Sequence, residues 1–307
     1  MDIFVQQLIN GLVLGIIYAL VALGYTMVYG ILGLINFAHG DVTMIGALVS
    51  ATLIQLLHAA GLPVPVSLLL AGGGAVIVCA SLGFSIERIA YRPLRNAPRL
   101  APLITAIGVS ILIQYSAALI WGKQYIALPA IITPPSIEFA GAQINHLQIA
   151  IVILAACIMG GLIWFIHHSR MGRAMRATEQ NPAVASLMGV DTHAVIAMTF
   201  LLGSAIGAIA GLMVILYYGI GHYFMGFMLG LKAFTAAVLG GIGNVGGAVI
   251  GGLLLGIIES LAAGYIEQLS GGLFGSNYRD IFAFLVLILV LLLRPQGLLG
   301  QRSGDRA

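Results

Sequence analysis

Long apolar runs separated by short polar stretches make up most of the chain. Nine segments contain at most two charged residues each, and they cover residues 8–29, 38–58, 64–87, 101–121, 148–167, 194–217, 226–242, 245–266 and 279–293. A helix needs about 20 apolar residues to cross the hydrocarbon core of a bilayer, and sustained runs of this kind are typical of membrane helices. The pattern predicts an all-α, polytopic transmembrane helical bundle of about eight to ten spans.

Glycine-rich and repeated segments add detail to this bundle. The apolar segments 226–242 and 245–266 fit either two full spans or the pieces of a broken or re-entrant helix, and both alternatives stay open. Residues 95–109 and 179–190 each place Asn and Pro before a small-apolar run that ends in Gly-Val. This similarity indicates a two-half internal repeat, an arrangement that many membrane transport proteins share.

Composition and charge exclude a soluble globular protein and suggest an orientation. Charged residues are 7% of the chain, whereas a soluble domain carries about 25%. Ten of the 13 Lys and Arg residues lie in the segments 88–99, 170–176 and 294–306. Because basic residues favour the cytoplasmic side, these segments and the C-terminus are predicted to be cytoplasmic, with the N-terminus outside. Nothing in the composition points to a nucleic-acid partner.

The sequence offers no catalytic or metal site. Cys79 and Cys157 both fall within predicted spans, where cysteine acts as a small apolar residue. The peptide LSGGL at 269–273 resembles the signature of ABC ATPases, but the phosphate-binding pattern G-x-x-x-x-G-K-[ST] is missing from the chain. An intramembrane hydrolase would need a nucleophile beside a base, and no such spacing is found. The chain is therefore predicted not to be an enzyme.

The polar segment 171–191 interrupts the apolar pattern. It predicts two short helices, the second of them capped by Asn181, begun by Pro182 and ended by Gly189. Val184, Leu187 and Met188 would give this second helix a small apolar face, edged by Arg173, Arg176 and Glu179. The segment could lie on lipid headgroups or dock in the groove of a cytoplasmic partner. The second helix has neither a basic face nor bulky anchors, which favours the protein partner.

Polar residues inside apolar runs are candidates for a substrate pathway. They are Asn36, His39, Asp41, Thr43 and Asn244. An ionised Asp inside a membrane is costly, so Asp41 is predicted mainly to cap a helix that begins at Val42, with a pathway role as the alternative. Lys232 is predicted to snorkel or to pair with Glu259 or Glu267.

Several motifs together resemble the LivH-type permease subunits of the branched-chain amino acid ABC importer family. They are GYTMVYGILGLINFAHGD (24–41), SIERIAYRPLR (85–95), SRMGRAMRA (169–177) with ASLMGV (185–190), MLGLKAFTAAVLGGIGNVGGAVIGGLLLGIIES (228–260) and LLRPQGLLG (292–300). The resemblance covers nearly the whole chain. It implies a single membrane permease domain over 1–307, with a cytoplasmic coupling loop at 168–193.

The resemblance also implies a set of partners. They are a sister LivM-type permease, a pair of ABC ATPase subunits and a periplasmic amino-acid-binding protein, all at the bacterial inner membrane and its lipid. ATP and Mg would be bound by the ATPase subunits, so this chain needs no cofactor. The residues implied in ATPase coupling are Arg173, Arg176, Glu179, Asn181, Pro182, Ala183, Val184, Leu187, Met188 and Gly189.

The implied cargo is leucine, isoleucine or valine, moved into the cytoplasm by a multi-pass membrane subunit. Relatives of the same design carry other amino acids, amides or urea, which are alternative cargoes. An ion-coupled secondary transporter is the other alternative. It would need acids or His along a path, and Asp41, Glu87 and Glu259 provide few such groups.

Overall fold

The computed structural model describes residues 2–95, 97–98, 100–128, 136–139, 141–275, 278–294 and 296–300. Asn96 of the repeat motif, and Arg99, Arg302 and Arg306 of the basic segments, lie outside these ranges. The part of the chain that is described is mainly helical. Its helices are α1 (Asp2–Leu32), α2 (His39–Ala59), α3 (Val64–Ile86), α4 (Leu100–Trp121), α5 (His146–His168), α6 (Arg170–Gln180), α7 (Pro182–Leu187), α8 (Thr192–Tyr218), α9 (Met225–Gly240), α10 (Val245–Leu269) and α11 (Arg279–Leu293).

Short helical and extended pieces complete the secondary structure. A π-helical turn at Glu87–Tyr91 and a 3₁₀ turn at Arg92–Leu94 continue α3. The strands β1 (Ile126–Ala127) and β4 (Ile220–Gly221) pair antiparallel, as do β2 (Ser136–Phe139) and β3 (Ala142–Asn145). Each pair is too short to form a sheet core, so the helices carry the fold.

Helix length separates the predicted spans into two groups. Seven of them form helices long and apolar enough to cross a membrane, which confirms the polytopic helical bundle. The other two, α9 and α11, have 16 and 15 residues. At 1.5 Å per residue these reach about 22 to 24 Å, less than the hydrocarbon core of about 30 Å. Of the two glycine-rich segments, only α10 is therefore a full-length span.

One compact unit comprises Met27–Ile132 and Cys157–Gly230, and its centre is the packing of α2, α3 and α8. These helices approach closely where glycine lies at the contact. A Cβ added to Gly211 would lie 2.2 Å from the carbonyl oxygen of Thr43, and one added to Gly46 would lie 2.6 Å from Cα of Ala208. Such contacts through small residues are how membrane helices commonly associate.

The second compact unit comprises Met1–Thr26, Thr133–Ala156 and Leu231–Ala307. Within it, the first part of α1 packs on α10 through glycines of both helices. A Cβ added to Gly256 would lie 2.2 Å from the backbone nitrogen of Gly15, and one added to Gly252 would lie 2.5 Å from that of Ala19. The described chain after α11 returns to the end of α9, where Leu298 N–H donates to the carbonyl of Leu239 at 2.9 Å.

Candidate functional site

The polar loop folds into two consecutive helices, α6 and α7, with the local structure that the sequence predicts. Asn181 caps α7, because its Oδ1 accepts hydrogen bonds from the N–H of Ala183 at 3.0 Å and of Val184 at 3.1 Å. Pro182 occupies the first helical position, where no intrahelical N–H bond is needed. Gly189 follows α7 with φ of +85°, a conformation that favours glycine and lets the chain turn away.

The exposed side of α7 is apolar. The side chains of Val184, Leu187 and Met188 are 51%, 86% and 80% exposed, whereas Ala185 is buried. Large apolar groups that project together from one short helix usually mark a contact surface. Val184, Leu187 and Met188 therefore form a small apolar knob on the surface of the loop.

Three charged residues of α6 fasten the loop to neighbouring helices. The guanidinium of Arg176 donates to the carbonyl of Ile166, and that of Arg173 donates to the carbonyl of His168 at 3.2 Å. Carbonyls at the end of α5 lack intrahelical partners, and a cation there interacts favourably with the helix dipole. Glu179 lies against α1, because a Cβ added to Gly30 of that helix would be 3.2 Å from Oε1 of Glu179.

These contacts correct one prediction. Arg176 and Glu179 do not edge the apolar face of α7, because their side chains turn back towards α5 and α1. Arg173 is exposed but also bonds to the end of α5. The charges of α6 therefore hold the loop in place, and the exposed surface of α7 is formed by apolar side chains.

Asp41 does not cap the helix as predicted. The helix α2 begins at His39, so Asp41 is already its third residue. A turn lies just before the helix, where Asn36 Oδ1 accepts from the N–H of Ala38 at 3.2 Å, so the chain is already helical when it reaches Asp41. The Asp41 carboxylate instead receives hydrogen bonds from Ser110 Oγ and from Gln114 Nε2, the latter at 3.0 Å.

The remaining polar residues near the start of α2 lie on different sides. Asn36 precedes the helix and accepts a second hydrogen bond, from Tyr91 OH at 3.1 Å. His39 and Thr43 are one turn apart and face Gly207, where an added Cβ would lie 3.0 Å from Thr43 Oγ1 and 3.4 Å from His39 Cε1. His39 and Thr43 therefore share one face of the helix, whereas Asn36 lies before it.

Sequence reasoning missed the partners of these groups. Ser110 and Gln114 lie one turn apart on α4, and together they surround the Asp41 carboxylate with neutral donors. Two polar residues four positions apart in an otherwise apolar helix were the available signal, since they share one face. Tyr91, the partner of Asn36, lies in the turn after α3, where no such spacing marks it.

Asn244 has a structural position. It caps α10, because its Oδ1 accepts from the N–H of Gly247 at 3.0 Å, and its Nδ2 donates to the carbonyl of Leu299 at 2.9 Å. Both ends of the amide are therefore used in joining the start of α10 to the segment after α11. Within the described ranges, no three His, Cys, Asp or Glu side chains are grouped as metal ligands.

The chain is similar over most of its length to membrane components of transport systems. Residues 7–291 match the family described as branched-chain amino acid transport system, permease component. The high-affinity branched-chain amino acid transport system permease protein LivH of Escherichia coli strain K12 is 47% identical over 308 residues, 99% of this chain and 97% of that protein. LivH of Salmonella typhimurium gives the same identity and coverage.

Two further similarities extend this set. The permease protein BraD of Pseudomonas aeruginosa, also from a high-affinity branched-chain amino acid transport system, is 46% identical over 309 residues, 99% of this chain and 98% of that protein. Among solved structures, PsaBC from Streptococcus pneumoniae in complex with Fab is 14% identical, with a TM-score of 0.47. That alignment covers 95% of this chain and 92% of the other.

Proposed function

Because the chain belongs to the family of permease components of branched-chain amino acid transport systems, we propose that it is a membrane subunit of an ABC importer for leucine, isoleucine and valine. The observation that carries the proposal is the 47% identity to LivH over 99% of the chain. The importer moves its cargo into the cytoplasm through a path formed with a sister permease. A periplasmic binding protein delivers the amino acid.

Energy comes from partner ATPase subunits, which bind ATP and Mg. The exposed knob on α7 is the surface that this chain offers them, with Leu187 and Met188 as its most exposed side chains. An apolar knob of this size suits a groove in a partner, where burial of its side chains supplies the binding free energy.

A short connection leads from α7 into the membrane helices. Asp191 caps α8, since its Oδ1 accepts from the N–H of His193 at 3.0 Å and of Ala194 at 3.1 Å. Arg95 bonds both to the His193 ring and to the Glu87 carboxylate, so the start of α8 is tied to the end of α3. If the ATPase displaces α7, the displacement would therefore be transmitted to both α8 and α3.

The sidedness of the subunit follows from its basic segments. The loops that contain Arg88, Arg92 and Arg95, and the segment with Arg170, Arg173 and Arg176, are cytoplasmic, as is the C-terminus. With the C-terminus cytoplasmic, the connection between α10 and α11 lies on the external side of a bacterial inner membrane.

The test is transport by the reconstituted complex. The chain would be produced with its sister permease and ATPases, placed in proteoliposomes, and supplied with the binding protein and labelled leucine. We expect ATP-dependent uptake of labelled leucine that unlabelled isoleucine and valine reduce by competition. A partner ATPase that cannot hydrolyse ATP should abolish this uptake. Uptake that needs an ion gradient instead of ATP, or that only amides or urea compete, would contradict the proposal.

A further inference from the structure

Four charged side chains meet beside the middle of α10. Glu259 is fully buried and is the fifteenth of 25 residues in this helix, so it lies about 15 Å along the axis from the helix end. The ammonium of Lys232 on α9 lies 2.6 Å from Glu259 Oε1. Tyr18 OH on α1 donates to Glu259 Oε2 at 2.9 Å. The inner part of this cluster is therefore a hydrogen-bonded pair of opposite charges.

The outer part of the cluster comes from the first two residues of α11. The Lys232 ammonium also lies 2.6 Å from Asp280 Oδ1, and Arg279 Nε lies 3.5 Å from Glu259 Oε1. The side chains of Arg279 and Asp280 are 40% and 32% exposed, whereas that of Lys232 is 7% exposed. α11 thus begins at the depth of Glu259, and it leaves one cation and one anion accessible there.

Accessible charges at this depth require an explanation. Charged side chains inside a membrane face the interior of a bundle or a water-filled cavity, because contact with lipid is too costly. The inner pair, Lys232 and Glu259, is neutral as a unit, and so is the outer pair, Arg279 and Asp280. A zwitterion that binds here adds no net charge and gives each of the two accessible side chains a partner of opposite sign.

We propose that Arg279 and Asp280 form a binding site for the ammonium and carboxylate groups of an α-amino acid. The carboxylate of the amino acid binds the Arg279 guanidinium, which can donate two parallel hydrogen bonds to it. The ammonium of the amino acid binds the Asp280 carboxylate, while Lys232 stays on Glu259. This inference rests on the proposed function and adds to it an intermediate site within the membrane.

A pair of aromatic residues precedes the proposed site in the chain. Tyr278, which directly precedes Arg279 in the chain, is 43% exposed, and its ring centroid lies 5.0 Å from that of Phe274. Such a surface suits the apolar side chain of leucine, isoleucine or valine. The ligand would thus be recognised by one cationic and one anionic side chain, with an apolar surface next to them for its side chain.

The test compares Asp280→Asn with Glu267→Gln, a matched loss of one acid at an exposed position of α10. Labelled leucine binding to the purified complete importer, without the binding protein, is measured together with uptake in proteoliposomes. We expect Asp280→Asn to weaken leucine binding about tenfold or more and to raise the KM for uptake. Asp280→Glu keeps the carboxylate, so its leucine affinity and its KM should be close to those of the unchanged importer. Glu267→Gln should behave like the unchanged importer.

Competition by analogues separates recognition from a merely structural role. In the unchanged importer, 4-methylpentanoate, which lacks the ammonium, should compete poorly with leucine, and Asp280→Asn should reduce that discrimination. If Asp280→Asn, Arg279→Gln and Glu267→Gln all bind leucine and discriminate against 4-methylpentanoate equally well, the proposed binding site is wrong. The proposed function in leucine import would not be affected by that result. If Asp280→Asn fails to assemble, Asp280→Glu and Arg279→Gln decide in the same assay. An unchanged importer that does not transport leucine would instead overturn the proposed function.

Discussion

The guanidinium of Arg176 on α6 donates a hydrogen bond to the backbone carbonyl of Ile166 on α5, ten residues earlier in the chain. This contact turns the polar loop back under a membrane helix. It also leaves α7 to project its apolar side chains outward. The position of the knob therefore depends on a hydrogen bond that lies outside the knob itself.

Replacing Arg176 by Gln should loosen the coupling between ATP hydrolysis and uptake. The α5 carbonyls lose a charge-assisted donor, and α6 becomes less firmly held while the surface of α7 is unchanged. We expect ATPase subunits to co-purify normally and the leucine transported per ATP hydrolysed to fall. Arg170→Gln, at the exposed first position of the same helix, is the control. An unchanged ratio in Arg176→Gln would mean that this hydrogen bond does not position the loop.

Replacing Leu187 by Asp should detach the ATPase subunits. Leu187 is 86% exposed, so the change leaves the fold intact but brings an unpaired charge into an apolar groove. That desolvation costs several kcal/mol, and each 1.4 kcal/mol weakens binding about tenfold. The measurement is ATPase co-purification, with Ser186→Asp as a control of equal charge on the same helix. Normal co-purification and transport by Leu187→Asp would show that α7 is not the docking surface.

Asp41→Asn should retain assembly, whereas Asp41→Ala should destabilise the subunit. The Asn side chain can accept from Gln114 Nε2 and donate to Ser110 Oγ, which is able to accept as well as donate. Ala removes the acceptor of the buried Ser110 hydroxyl, at a cost of about 1 to 3 kcal/mol, and leaves Gln114 Nε2 its contact with Ser110 Oγ at 3.1 Å. Thermal unfolding of the purified complex measures the difference. Full stability with complete loss of uptake in Asp41→Asn would instead place Asp41 in the substrate pathway.

Gly211→Ala should destabilise the packing of α8 on α2. The added Cβ would lie 2.2 Å from the Thr43 carbonyl oxygen, which is backbone and cannot rotate away. Overpacking of this kind costs about 1 to 3 kcal/mol, more than the roughly 1 kcal/mol that Ala contributes through helix propensity. Gly160→Ala on α5 is the control, because an added Cβ there meets no atom within 4 Å. A similar unfolding temperature for both variants would contradict this packing.

Single cysteines test the sidedness. In a chain whose Cys79 and Cys157 are replaced by Ala, Ser186→Cys should react with a membrane-impermeant thiol reagent only from the cytoplasmic side. Lys123→Cys, in the segment between α4 and α5, should react only from outside. Labelling of both positions from the same side would require a different number of spans between them.

Local rules gave the right answer for α7, where the capping partners lie close in sequence. The caps of α7 join residues two and three positions apart, so the letters Asn-Pro and a later Gly are enough to predict them. The family was likewise identified from contiguous motifs, and the comparisons confirm it. The pairing of Lys232 with Glu259 was among the alternatives and is confirmed, since few buried acids were available.

Partners that are distant in sequence could not be predicted in this way. Asp41 bonds to Ser110 and Gln114, 69 and 73 residues away, and these contacts exist only because α2 packs on α4. The start of α2 at His39 was missed although the turn before it is local, with Asn36 Oδ1 accepting from the N–H of Ala38 two residues later. Hydropathy also did not reveal that α11 begins at the depth of Glu259, because the position of a helix end depends on its neighbours.

The length of α11 has a consequence for the surrounding lipid. Between Arg279 at its start and Arg294 after its end, α11 carries an apolar stretch of about 20 Å, against a typical hydrocarbon thickness of about 30 Å. Exposed Leu292 and Leu293 lie at one end of this stretch. Since α11 begins inside the membrane at the depth of Glu259, the part of the hydrocarbon core beyond Arg279 must be covered by another helix or another subunit, because contact of these charges with lipid is too costly.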